Sequence, residues 1–84
     1  MSKAGSGKVE NTGYDNSGMT VIYVHGTSQE IADTHFSIRI PSGEYAFYSV
    51  DIAKRLKGKT VLFNYLSLSD QRIPRSITFK AVLE

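Results

Sequence analysis

Few side chains in this sequence are equipped for chemistry, and they are thinly spread. His25 and His35 are the chain's two histidines, and there is no cysteine, so no Cys/His set has the spacing of a zinc site. In the triplet Asp33-Thr34-His35, an acid and an imidazole stand on the same side of an extended chain. A metal there would still need a third ligand, and the pattern supplies none, so no metal site and no cofactor is expected. Asp15, Asp33, Asp51 and Asp70 fall in turns or on a predicted helix, so no strand aims two carboxylates at a common space. A G-x-S-x-G motif is absent, and Gly5-Ser6-Gly7-Lys8 lacks the Ser or Thr that completes a phosphate loop. Neither acid–base nor nucleophilic catalysis has an assembled set of groups. The chain is expected not to be an enzyme.

Binding chemistry is better represented. Tyr23, His25, His35 and Arg39 sit on two predicted strands, Arg72 and Arg75 in a polar loop, and Lys80 on the last strand. These are residue types that stack on rings and meet polar or anionic groups. Tyr23 has an alternative fate: if Thr20, Ile22 and Val24 face solvent, its ring belongs to the core. The overall charge limits the partners. Ten Lys and Arg against eight Asp and Glu give +2, far from the imbalance of a dedicated phosphate-backbone binder. No run approaches the roughly 18 apolar residues of a membrane span, and MSKAGSGKVE has no apolar core of a signal peptide. The compartment stays open: cytoplasmic if the chain is complete as given, secreted if a leader was removed.

The elements that must position these residues follow from periodicity and punctuation. Residues 1–7, MSKAGSG, read as a flexible lead-in, and residues 8–84 as one domain. KVENTGY (8–14) is a weak strand, DNSG (15–18) a hairpin turn, and MTVIYVHG (19–26) the best strand in the chain. TSQEIAD (27–33) is a polar connection. THFSIRI (34–40) alternates Phe36, Ile38 and Ile40 against His35, Ser37 and Arg39 until Pro41 ends it. A helix is expected from Ser42 as cap to Gly58 as left-handed terminus, with Tyr45, Tyr48, Ile52 and Leu56 as its apolar stripe. Its basic end, Lys54, Arg55 and Lys57, opposes the helix dipole and needs no nucleic acid or membrane to explain it. KTVLFNYL (59–66) is a strand with Val61, Phe63 and Tyr65 inward, SLSDQRIPR (67–75) a polar loop, and SITFKAVLE (76–84) a strand with Ile77, Phe79, Ala81 and Leu83 inward.

Three strands, a helix and two strands is the order of the OB-fold, a five-stranded Greek-key barrel plugged by its helix. The stretches GEYAFYSVDIAKRLKGKTVLFNY and KVENTGYDNSGMTVIYV resemble the helix-then-strand segment and the opening hairpin of small bacterial OB-fold proteins of the pertussis-like and subtilase-like toxin B-subunit type. The resemblance spans most of residues 8–84 and implies a mainly β, OB-like barrel, a ring-forming habit, and a glycan or protein ligand. It implies no individual site residue.

Leu62, Leu66 and Val82 fall outside the inward parity of their strands and are expected to form a contact between copies of the chain. The sequence thus predicts a non-enzymatic, homo-oligomeric binding module. A protein that binds single-stranded nucleic acid, and one with a purely structural or interaction role, stay open as alternatives.

Overall fold

The computed structural model describes residues 2–40 and 55–83. These residues are mainly β. The strands are β1 (Lys3–Tyr14), β2 (Thr20–Gly26), β3 (His35–Ile40), β4 (Thr60–Tyr65), β5 (Ser67–Leu68), β6 (Pro74–Arg75) and β7 (Thr78–Leu83). A single 3₁₀ turn, Gln29–Ile31, joins β2 to β3. Five strands form one antiparallel sheet in the order β3-β2-β1-β4-β7, and β5 and β6 form a small separate hairpin.

β1 organises the sheet because it serves two partners. Its first half, Lys3 to Lys8, pairs with β4, and the stretch from Gly7 to Tyr14 pairs with β2. The change of partner is accompanied by a bulge between Val9 and Asn11, which bends the strand and strengthens its twist. The inward face of β1 is Gly5, Gly7 and Val9, all buried. A Cβ at Gly5 would lie 2.7 Å from the Phe63 ring, and one at Gly7 would collide with Val24. Glycine here leaves room for neighbouring side chains to fold over the strand. The lead-in expected over residues 1–7 is therefore sheet from Lys3 onward.

The core cluster lies on the concave side of the sheet. Ile22 and Val24 of β2, Ile38 and Ile40 of β3, Val61, Phe63 and Tyr65 of β4, and Phe79 of β7 form one cluster. Phe36 on β3 meets Phe63 on β4 edge-on, with ring centroids 5.4 Å apart. Those strands are separated in the sheet by β2 and β1, so the sheet coils around its core. It does not close: β3 and β7 remain its edges, without a ladder between them. The closed barrel expected from the sequence is, among the described residues, an open coiled sheet.

Three further expectations change. The polar connection at 27–33 delivers Ile31, fully buried, to the core, and Gly26 approaches the Ile31 carbonyl too closely to carry a Cβ. The loop at 67–75 contains the β5–β6 hairpin, whose turn is tied by Ser69: its Oγ accepts from the amides of Gln71 and Ile73. In β7 a register shift opposite Leu62 and Phe63 leaves Lys80 as an extra residue. An extra residue reverses the alternation, so Val82 packs on the core while Ala81 and Leu83 turn outward.

Most of the helix expected over 42–58 lies outside the described residues. Its last turn is described: Leu56 is buried in the core, Arg55 and Lys57 are exposed, and Gly58 has φ +87°. The Gly58 amide donates to Val9 O and the Val9 amide to Lys59 O, which docks this segment on the β1 bulge.

Candidate functional site

The outer, convex face of β1, β2 and β3 gathers four of the residues singled out in the sequence. Alternation along β2 sends Ile22 and Val24 into the core and Tyr23 outward, where it is 46% exposed. Tyr23 is flanked in register by Asn11 on β1 and Ser37 on β3. Its ring forms a ridge between two shallow depressions. One is lined by Val21, Arg39 and the β1–β2 turn residues Asp15, Asn16 and Ser17. The other is lined by Glu10, His35 and Phe36, and both share Tyr23 and Ser37. Val21 is outward by parity yet only 6% exposed, so the first depression has an apolar floor.

The polar wall of that depression is built by the DNSG turn. Asp15 Oδ1 accepts from the Ser17 amide, the Ser17 hydroxyl and the Met19 amide, while Gly18 takes φ +84° to let the chain reverse. Arg39 reaches across from β3 and donates to Asp15 Oδ2 at 2.6 Å. The Ser17 hydroxyl above all, helped by the Met19 and Ser17 amides and by Arg39, holds the Asp15 carboxyl at about 2 against a partial loss of solvent. Arg39 is thus an ion-paired wall and not a loose cation.

His25 and His35 face each other across the β2–β3 ladder, with rings stacked 4.6 Å apart and inclined by 24°. His35 Nδ1 donates to Glu10 Oε1 at 2.8 Å, and His25 Nε2 lies 3.3 Å from Asp33 Oδ1. Asp33 adopts φ +65° as the chain turns into β3. It meets His25 on the neighbouring strand, whereas the sequence pairs it with His35 two positions away.

The remaining expected residues lie elsewhere. Arg72 is in the β5–β6 turn with φ +64°, and Arg75 on β6 borders a separate depression with Ser69, Asp70, Gln71 and Ile73. Lys80 sits on the β7 bulge, and β7 is separated from β2 by β4 and β1. No single groove joins these three to Tyr23 among the described residues. Of the expected contact residues, Leu66 is 57% exposed and Leu62 half-buried, whereas Val82 belongs to the core.

Sequence reasoning missed Glu10, Asp15 and Ser17 as members of this face, and placed Ser37 on it without giving it a role. The turn at Asp15 was readable; its meeting with Arg39 depends on the β2–β3 register, which places Arg39 opposite Val21. A second polar cluster, Lys3–Glu30–Tyr65, is structural. Tyr65 donates to Glu30 Oε2 at 2.8 Å and Lys3 lies 3.3 Å from the same carboxylate. The Tyr65 hydroxyl and then Lys3 hold Glu30 below the usual range, while burial and then Glu30 push Tyr65 up.

Among the described residues no three His, Cys, Asp or Glu side chains form a group that could hold a metal ion, and no helix is long and apolar enough to cross a membrane. No protein-family model, curated protein or solved structure matches the chain.

Proposed function

We propose that this chain is a non-enzymatic, oligomeric binding module that holds a glycan on the outer face of β1, β2 and β3, with Tyr23 as the stacking platform. The observation that carries this reading is the exposed Tyr23 ring on a face with no net positive charge. Arg39 and Lys8 stand there with Glu10, Asp15 and Asp33, two fixed cations against three carboxylates. Arg39 and both histidines each already face a carboxylate. Such a surface offers a ring, hydroxyls and paired polar groups but no surplus positive charge. It suits a neutral polyhydroxylated ligand better than a phosphate backbone, whose binding rests on unneutralised cations.

An OB-like reading is compatible with this location. The strand order, with a bent β1 shared between β2 and β4, is what an OB-fold has before its last seam closes. That fold binds oligosaccharides and oligonucleotides on the face of its second and third strands, beside the loop joining strands one and two. Here that loop is the Asp15–Gly18 turn.

A glycan array followed by titration at low and high salt tests the proposal. Binding is expected to be insensitive to salt, and Tyr23→Ala should weaken it at least about tenfold, or about 1.4 kcal/mol. Arg72→Glu with Arg75→Glu should leave it unchanged. Binding to single-stranded oligonucleotides with a log–log salt slope of about −0.7 per phosphate would replace the glycan reading by the nucleic-acid one.

A further inference from the structure

The stacked histidine pair invites a use that Tyr23 does not require. We propose that His25 and His35 chelate a divalent transition-metal ion, copper(II) most tightly and zinc less so, on the solvent side of the β2–β3 ladder. The two residues are direct cross-strand partners, which places their Cβ atoms about 4.5–5.5 Å apart, within reach of one ion.

Each ring has one nitrogen already engaged by a carboxylate: His25 Nε2 faces Asp33, and His35 Nδ1 faces Glu10. This leaves His25 Nδ1 and His35 Nε2 as donors. A metal-bound imidazole commonly gives its second nitrogen to a carboxylate, which fixes the tautomer and raises the basicity of the ligating atom. Both halves of that arrangement are present on two histidines that touch. The rings now lie 4.6 Å apart, nearly parallel. Two nitrogens on one ion at about 2.0–2.1 Å from it require the rings to splay about χ2, a soft torsion for histidine.

No group of three or more candidate ligands exists among the described residues, so the protein would supply two nitrogens and solvent the rest. That is an open, exchangeable site, not a closed structural one. The preference for copper(II) follows from the general affinity order of nitrogen ligands for first-row ions. Bound metal would fasten the edge strand β3 to β2, and because only the folded chain presents the pair, it would raise thermal stability.

The experiment uses the full chain, with copper(II) chloride and zinc chloride each as probe, followed by calorimetric titration and thermal melts near neutral pH. One equivalent is expected to bind, with a melting temperature that climbs as metal is added. His25→Ala and His35→Ala should each abolish both effects while melting normally without metal. Asp33→Asn and Glu10→Gln should each weaken binding about tenfold or more, as loss of an orienting carboxylate does. If either histidine variant lowers stability on its own, the metal-induced shift relative to that variant's metal-free melt is still the readout. No binding by the parent at millimolar metal, or full binding retained in either histidine variant, would overturn the assignment.

Discussion

Asp15 shows how one half-buried residue can organise both a turn and a site. Its carboxylate takes two amides and a hydroxyl from its own turn and a guanidinium from β3, so it fixes the hairpin and the position of Arg39 together. Because its folded pKa, about 2, lies below the ordinary 3.8, the folded state favours the ionised form. The stabilisation is complete above about pH 4 and is lost as the pH falls through 2. Asp15→Asn keeps an acceptor for the turn amides but removes the charge. Its urea midpoint should therefore fall less between pH 4 and pH 2 than the parent's does. Parallel acid limbs for parent and variant would show that the carboxylate has the same affinity for protons folded and unfolded.

At the scale of elements, the determinants are local irregularities. The inward faces of β3 and β4 were legible from alternation, whereas β2, apolar on both faces through Val21 and Tyr23, left two parities open. His35 and Arg39 could therefore be placed on one face from the sequence, while Tyr23 and His25 join them only because Ile22 and Val24 are buried in the core. Their carboxylate partners could not, since Glu10, Asp15 and Asp33 reach them through register, a bulge and a left-handed turn residue. The bulge at Lys80 was equally hidden, and one extra residue exchanged the roles of Val82 and Leu83. Residues 3–7 read as a linker because glycine is disfavoured in strands, yet a glycine face is what the overlying Phe63 and Val24 side chains require. Two variants test that account. Gly7→Ala should cost about 1–3 kcal/mol through overpacking against Val24. Leu56→Ala should cost about 2–5 kcal/mol through a cavity at the end of the core, while the exposed Lys57→Ala stays within about 0.5 kcal/mol. Equal denaturant midpoints for the two alanine variants at 56 and 57 would remove Leu56 from the core.

Seen whole, the convex side of the sheet divides into two unlike halves. Around β2 and β3 it carries ion pairs, imidazoles and an exposed tyrosine. Around β4 and β7 the outward positions Thr60, Leu62, Asn64, Thr78, Ala81 and Leu83 bear no charge, and Lys80 stands at the bulge among them. Leu83 is 49% exposed and Leu66, just past the end of β4, 57%. Single exposed leucines are ordinary, but several on a strip whose one charge is Lys80, beside an open strand edge, make a surface suited to pairing with a second copy. The oligomer proposed above would use this half and leave the Tyr23 half free for ligand. Sedimentation at micromolar concentration should then show more than one copy per particle. Leu66→Glu should yield a folded monomer, because a carboxylate buried without a partner in each contact is far more costly than the leucine it replaces. Its binding at the Tyr23 face should keep the parent's affinity per chain and lose only the gain from multivalency. A parent that sediments as a monodisperse monomer, with Leu66→Glu indistinguishable from it, would rule this face out as a contact.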